Sequence, residues 1–177
     1  MKRALAKADI AAIVALKYVA YGNTKYDSAT DTFTCQHGAG ECESDALELC
    51  NQYLISGDIN SINTGDTSMA AWPFTLCMEE ATGDPNAAPG CYAAHAVNSS
   101  IPYSAIADCA TNQFNVVQTA AMKATPSDHQ YVPWVLIDGE VLDNTNQLVT
   151  AICAAYTGPP PASCRKLTDN EERCNKV

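Results

Sequence analysis

Positive charge is scarce in this chain of 177 residues, in which Lys and Arg total 10 against 20 Asp and Glu, for a formal net charge of −10. A surface this acidic repels nucleic acid and anionic membranes, so we expect neither as a partner. The chain contains no run of eighteen apolar residues, which predicts no membrane span. Its 47% hydrophobic and 17% charged residues are typical of a globular protein.

A second absence concerns the nine cysteines, since no two of them are separated by two residues. The Cys-x-x-Cys spacing is the one found in redox dithiols, so no pair here matches that pattern. Nine cysteines are too many for a reducing cytosol unless a metal binds them, which favours an oxidising compartment, either secretory or lysosomal. The odd count predicts one thiol that is free or bonded outside the chain.

The densest group of potential ligands comprises Cys35, His37, Cys42 and Cys50. Such a group is compatible with disulfides, a metal site or a redox site. Six and seven residues separate the successive cysteines, whereas structural zinc sites favour gaps of two to four. Disulfides are therefore the favoured interpretation, and zinc binding through these four residues is a weaker alternative.

Hydrophobic periodicity and turn residues predict an α/β order with a helical insertion. We expect a helix capped by Ser44, and another in which Pro73 is tolerated only near the start. Asp138-Gly139 predicts a hairpin turn that follows Pro133. The predicted elements are the end of a helix over 1–13, a strand over 14–21, a polar turn-prone segment over 24–34, helices over 45–55, 68–81, around Cys91 and Cys109, and over 112–124, a hairpin over 131–142, and a last helix over 144–156.

Several motifs resemble those of the gamma-interferon-inducible lysosomal thiol reductase family. The family signature is Cys-Gln-His-Gly, two residues, Glu-Cys, two residues, Asn, four residues, Cys. The chain matches it at every defined position except Asp45, where the family has Asn. The matching residues are Cys35, Gln36, His37, Gly38, Glu41, Cys42 and Cys50. Further similar pieces extend the resemblance over about residues 10 to 164, among them Tyr21-Gly22-Asn23, Cys77-Met78-Glu79, Tyr131-Val132-Pro133-Trp134 and Thr145-Asn146-Gln147-Leu148.

The resemblance implies a thioredoxin-like fold over 1–157, with a helical insertion over about 44–111 and a C-terminal tail over 158–177. Family members reduce protein disulfides at acidic pH with a Cys-x-x-Cys dithiol and no cofactor. That dithiol would lie upstream of Met1, so we expect the first strand and the start of the first helix to be absent. No catalytic residue is then present, and this chain is expected to be inactive as given. In that fold Val132 and Pro133 would form the wall of the substrate cleft.

Other residues receive structural or peripheral roles. His37 is expected to hold its loop rather than to tune a dithiol, Glu41 to pair locally, and Trp134 to pack in the core. His129 is expected to be a solvated loop residue. Asn98 begins a glycosylation sequon. The remaining cysteines with expected structural roles are Cys77, Cys91, Cys109, Cys153 and Cys164, in a pairing that the sequence leaves open.

Two functional hypotheses follow, both placing the protein in lysosomes or endosomes or outside the cell. The first is a thiol reductase acting on disulfide-bonded proteins, presented without its dithiol. The second is a non-catalytic, disulfide-stapled binding module. A missing first strand would also leave a sheet edge exposed, so we expect a tendency to self-associate.

Overall fold

The computed structural model describes residues 5–62, 65–96, 98 and 100–166. The described residues form a mixed α/β structure that is mostly helical. Its helices are α1 (Ala8–Ala11), α2 (Ala39–Ser56), α3 (Gly65–Glu80), α4 (Ala88–His95), α5 (Tyr103–Asn112), α6 (Phe114–Ala124) and α7 (Leu148–Ala155), and its strands are β1 (Lys25–Asp27), β2 (Thr32–Thr34), β3 (Leu136–Ile137) and β4 (Glu140–Val141). Short 3-10 turns occupy Ile59–Ser61, Pro85–Ala87 and Thr145–Gln147.

The chain divides into two compact units. The larger unit is Ala15–Val132, and the smaller one combines the described residues before Ala15 with those from Pro133 onward. Each unit has its own hydrophobic core.

Helix α2 is the centre of the larger unit, where it packs against α3, α5 and α6. Leu47, Leu49 and Cys50 are buried on it, but so are the polar Glu48 and Gln52. A helix buried on several sides needs neighbours around most of its circumference, which these three helices provide. The helix ends at Gly57, whose φ of 72° lies in the left-handed region and whose N–H donates to the Tyr53 carbonyl at 2.8 Å.

Two predictions about the helices are wrong. Ser44 does not cap a helix, because α2 begins five residues earlier, after Gly38, and Ser44 is buried inside it. Pro73 lies well inside α3 rather than near its start. Its ring is on the exposed side, while Trp72 and Phe74 beside it are buried, so packing compensates for the backbone hydrogen bond that proline cannot donate.

The predicted strand over 14–21 is also wrong, since this segment has no regular secondary structure. Side chains from two helices, rather than a neighbouring strand, form hydrogen bonds with the Tyr18 backbone in this segment. The Tyr18 N–H donates to Ser68 Oγ at 3.1 Å, and its carbonyl accepts from Gln52 Nε2 at 3.3 Å. Strands form instead in the segment predicted to be a turn, where β1 and β2 pair antiparallel with Tyr26 opposite Phe33. The alternation of polar and aromatic residues there is short enough to escape periodicity analysis.

In the smaller unit, the predicted hairpin is present after Pro133, with Leu136 paired to Val141. Asp138 and Gly139 form its turn, with φ values of 50° and 92°. Such a pair of positive φ values matches the twist of the two strands, as the Asp-Gly sequence predicts. Among the described residues β3 and β4 pair with each other alone and form a two-stranded ribbon.

The core of the smaller unit joins the hairpin to helices α1 and α7. Val135, Leu148 and Ile152 are buried together with Ile10. Asp9 adds a polar connection, because its carboxylate accepts from the N–H and the hydroxyl of Ser163 at 2.8 and 2.9 Å. These hydrogen bonds are the main reason why the pKa of Asp9 is lowered. In the part of the chain that the structure describes, no helix combines the length and hydropathy of a membrane span.

Candidate functional site

Eight of the nine cysteines form four disulfides. In the larger unit Cys35 is bonded to Cys42, Cys50 to Cys109, and Cys77 to Cys91, while Cys153 is bonded to Cys164 in the smaller unit. The ninth, Cys174, lies outside the described residues. Cys164 is thus bonded to helix α7 through Cys153.

These bonds count against the zinc hypothesis. Zinc is held by cysteine thiolates, and a sulfur in a disulfide has no thiolate to offer. Cys35 and Cys42 are bonded to each other, and Cys50 is bonded to a residue on α5. Among the described residues no group of three or more potential ligands is arranged to hold a metal ion.

The Cys35–Cys42 disulfide closes the loop from which α2 begins. Gly38 precedes the helix with a φ of 95°, a conformation that favours glycine. The N–H of His37 donates to Glu41 Oε2 at 2.5 Å, and the His37 ring lies 3.1 Å from Glu41 Oε1. His37 and Glu41 thus pair with each other at the surface of this loop. The structural role of His37 stays a prediction. The outcome is a disulfide held against the positive end of the α2 dipole.

A pocket of about 590 Å³ opens beside this disulfide. Cys35 and Cys42, both buried, line it together with Leu47. Its rim reaches the surface at Gly38, Glu43 and Thr111, and aromatic side chains form its walls. These aromatic residues are Phe33, Tyr103 and Phe114. A concave, largely apolar space of this volume is the size that small molecules occupy in proteins.

Two oxygen atoms approach Cys35 Sγ from neighbouring residues. The Thr24 hydroxyl donates to it at 3.3 Å, and Asp45 Oδ2 lies 4.0 Å away. A sulfur in a disulfide carries no hydrogen, so any proton between Asp45 and Cys35 must belong to the carboxyl group. Burial, then the negative charges of Glu41 and Glu79, raise the pKa of Asp45 to about 7. Below that pH, Asp45 is therefore a neutral acid able to donate to the sulfur.

Asp45 belongs to a larger acidic cluster between α2 and α3. Glu48, one turn further along α2, is fully buried, and burial together with the charges of Glu79 and Asp45 raises its pKa well above its usual range. Burial likewise raises the pKa of Tyr18 well above its usual range, with further contributions from Glu48 and Glu79. The Tyr18 hydroxyl donates to Glu79 Oε1 at 3.1 Å. Folding therefore keeps at least part of this cluster protonated at neutral pH.

The other predicted residues have local contacts or exposed positions of their own. Asn23 Nδ2 donates to Gln36 Oε1 at 2.8 Å, which connects the Tyr21-Gly22-Asn23 segment to the signature. Val132 and Pro133 are both exposed. His129 is half-buried, with ring Nδ1 2.8 Å from the Pro126 carbonyl, so it is anchored to its loop rather than solvated.

Trp134 and Asn98 differ in exposure. Trp134, which we expected to pack in the core, is half-buried, whereas its neighbour Val135 is buried. The sequon residue Asn98 is exposed, and its Oδ1 accepts from the Ser100 N–H at 3.0 Å. Glycosylation at Asn98 stays a prediction.

Sequence reasoning missed Thr24, Glu48 and the role of Asp45 at the disulfide. A signal for the acidic cluster was present, since Glu41, Asp45 and Glu48 are spaced by four and three residues and so share one face of a helix. The misplaced start of α2 at Ser44 left Glu41 and Cys42 outside the helix and hid this face. Nothing in the sequence indicates that Thr24 reaches Cys35.

Fold and site together define a disulfide-stapled α/β domain whose signature disulfide lies at a helix N-terminus beside a pocket. A family model described as gamma interferon inducible lysosomal thiol reductase (GILT) matches residues 1–96, more than half of the chain. The chain belongs to this family.

Curated relatives extend the similarity over most of the chain. A gamma-interferon-inducible lysosomal thiol reductase of Carassius auratus is 30% identical over 166 residues, covering 86% of this chain and 59% of the relative. A gamma-interferon-responsive lysosomal thiol protein of Arabidopsis thaliana is 31% identical over 158 residues, covering 85% and 60%. A gamma-interferon-inducible lysosomal thiol reductase of Mus musculus is 29% identical over 168 residues, covering 91% and 62%. The chain thus spans about three fifths of the length of these relatives.

Proposed function

We propose that this protein is a thiol–disulfide oxidoreductase of the lysosomal thiol reductase type, built on a thioredoxin-like fold and acting on protein disulfides at acidic pH. Membership of the family is the observation that carries this proposal. The four disulfides add support, because they suit the oxidising route by which a lysosomal or secreted protein is made. Glycosylation at Asn98 would fit the same route.

This chain of 177 residues does not contain the Cys-x-x-Cys dithiol that this chemistry uses in the family. No Cys-x-x-Cys occurs in the sequence, and all eight cysteines that the structure describes are in disulfides. A disulfide has no thiolate with which to attack a substrate. We therefore expect these 177 residues by themselves to reduce protein disulfides slowly or not at all.

Val132 and Pro133 are proposed to contact an extended substrate segment. The Val132 side chain is 46% exposed, which leaves this stretch accessible to a partner strand. An extended peptide can add to such a segment through main-chain hydrogen bonds, and pockets for alternate side chains then supply specificity. No cofactor is required for this mode of binding.

Insulin reduction at about pH 5 tests the proposal. This chain should give a rate near that of buffer, and a complete relative with its Cys-x-x-Cys should turn over. The matched control is the same relative with both dithiol cysteines changed to serine, which should fall to the level of this chain. Turnover by this chain equal to that of the intact relative would refute the need for the missing dithiol.

A second candidate function is a non-catalytic binding module. The observation in its favour is that the described cysteines are paired as staples rather than presented as thiols. The nucleotide sequence upstream of the Met1 codon separates the two candidates. A strand followed by Cys-x-x-Cys in the same reading frame supports the reductase, and its absence supports the binding module.

A further inference from the structure

The Cys35–Cys42 disulfide combines three features that thiol–disulfide exchange requires. Both sulfurs belong to residues that line the pocket beside α2, so an incoming thiol can occupy space next to them. The positive end of the 18-residue helix α2 favours the negative charge that thiolates carry. Thr24 and Asp45 place oxygen atoms near the sulfur of Cys35. None of these features involves a Cys-x-x-Cys dithiol.

We propose that Cys35–Cys42 is a second redox centre, which exchanges with small thiols in the pocket and uses Asp45 as the proton donor to the leaving sulfur of Cys35. The incoming thiolate attacks Cys42 Sγ, a new S–S bond forms there, and the Cys35–Cys42 bond breaks. Cys35 Sγ takes the bonding electron pair and receives the proton of Asp45. A second small thiolate then attacks the sulfur of the first, a disulfide of the two small thiols is released, and Cys42 Sγ leaves with the bonding electron pair as a thiolate near the α2 N-terminus. Asp45 regains its proton from solvent, so two small thiols are oxidised and one protein disulfide is reduced.

The direction of attack follows from the position of the oxygen atoms. Negative charge develops on the leaving sulfur, and donors aimed at that sulfur lower the barrier. The Thr24 hydroxyl already donates to Cys35 Sγ at 3.3 Å, and Asp45 Oδ2 is 4.0 Å from the same atom. Cys35 is therefore the leaving group and Cys42 the residue attacked.

The surroundings of Asp45 keep its proton available in an acidic compartment. Glu41 and Glu48 face it from its own helix, Glu79 faces it from α3, and Tyr18 faces the cluster from the irregular segment. Burial, then the negative charges of Glu41 and Glu79, favour the protonated carboxyl of Asp45, whose pKa is raised to about 7. The Cys50–Cys109 disulfide, by contrast, is buried in the core, where a thiol has no comparable approach.

Charge and volume restrict the thiol that the pocket accepts. A volume of about 590 Å³ suits a small molecule rather than a protein loop. Glu43 lies at the rim, and the whole chain carries a net charge of −10. A small thiol that is neutral or positively charged should therefore enter more readily than an anionic one.

The experiment exposes the intact protein to cysteamine at several pH values between about 5 and 8. Open thiols are trapped with methyl methanethiosulfonate and located by peptide mass mapping. Rates are divided by the concentration of cysteamine thiolate, so that the ordinary pH dependence of the nucleophile is removed. We expect early cysteamine adducts on Cys42 with Cys35 trapped as a thiol, and a normalised rate that rises as the pH falls through about 7.

Three variants test the roles of the named groups. Asp45→Asn keeps the size of the side chain and should flatten the normalised pH profile, with a loss on the order of tenfold at about pH 5, the low end of general acid catalysis. Thr24→Val should slow exchange at every pH without changing the profile. Thr111→Trp should obstruct the pocket, and the matched control Ser104→Trp, exposed on the same helix α5 outside the pocket lining, should leave the rate unchanged.

Glutathione serves as the anionic comparison and should react several-fold more slowly than cysteamine at equal thiolate concentration. Adducts on Cys35, opening of Cys50–Cys109 before Cys35–Cys42, or a normalised rate independent of pH in the unmodified protein would each overturn the proposal. The last measurement needs no variant, so it decides the matter even if Asp45→Asn fails to fold. Insulin reduction depends on the family dithiol, and its outcome therefore leaves this assay unaffected.

Discussion

The raised pKa of Asp45 makes the stability of the protein depend on pH in a direction opposite to that of most carboxylates. The folded-state pKa is about 7, against 3.8 for the unfolded side chain. The folded protein therefore binds a proton more tightly than the unfolded chain. The stabilising effect of this proton is fully present below the unfolded pKa and is lost as the pH rises through about 7.

The size of the effect follows from the shift. Each pKa unit corresponds to about 1.4 kcal/mol, so a shift of about three units sets a limit of about 4 kcal/mol. Part of this change in the free energy of unfolding occurs below about pH 5. About 2–3 kcal/mol of it therefore falls between about pH 5 and pH 8. Asp45 is half-buried, so solvent screening favours the lower end of this interval.

Asp45→Asn removes the titrating group while keeping its shape. Urea unfolding, followed by circular dichroism with the disulfides intact, should show that the unmodified protein loses about 2 kcal/mol more than the variant between about pH 5 and pH 8. Asp108→Asn is the control, because it changes the net charge equally at an exposed position of α5. Parallel pH dependences for the unmodified protein and Asp45→Asn would refute the reasoning.

Three further predictions concern stability and association. Replacing both Cys50 and Cys109 by Ala should lower the free energy of unfolding by about 4 kcal/mol, because this bond spans 59 residues of sequence. Replacing both Cys77 and Cys91, which are separated by 14, should lower it by about 3 kcal/mol. Equal losses in denaturant unfolding would contradict this expectation. Gly139→Ala should destabilise the hairpin by about 1–2 kcal/mol, because its φ of 92° is unfavourable for a residue with a Cβ. Gly90→Ala, in helix α4 with open space at its Cβ, should stabilise the protein by up to about 1 kcal/mol. Thermal melts in which both changes have the same sign would argue against the assigned turn. Light scattering should show concentration-dependent self-association that Leu136→Lys reduces, because Leu136 is 39% exposed on a two-stranded ribbon; a monomer at all concentrations would dismiss the expected edge pairing.

The signature from Cys35 to Cys50 was enough to predict the family, because seven positions at fixed spacing rarely match by chance. The Asp138-Gly139 turn was also predictable, since few residue pairs adopt two successive positive φ values. The helix over 144–156 was recognisable from its apolar periodicity, although its first residues form the 3-10 turn Thr145–Gln147. These features depend on neighbours in the chain.

The errors arose where distant residues decide the local structure. Residues 14 to 21 have the composition of a strand, but Gln52 and Ser68 take the backbone hydrogen bonds that a neighbouring strand would have supplied. Pro73 is tolerated deep inside α3 because buried neighbours hold the helix around it. Neither outcome is visible without the partners from other elements.

The sequence by itself determined the family, the preference of its cysteines for disulfides and the acidic net charge. Each of these depends on which residues are present and how they are spaced. The tertiary structure decided which cysteines are bonded, since the Cys50–Cys109 bond joins residues 59 apart that only folding brings together. It also decided the state of Asp45. A carboxyl group becomes a neutral acid near pH 7 through burial and the approach of other negative charges, and both are consequences of how the helices pack.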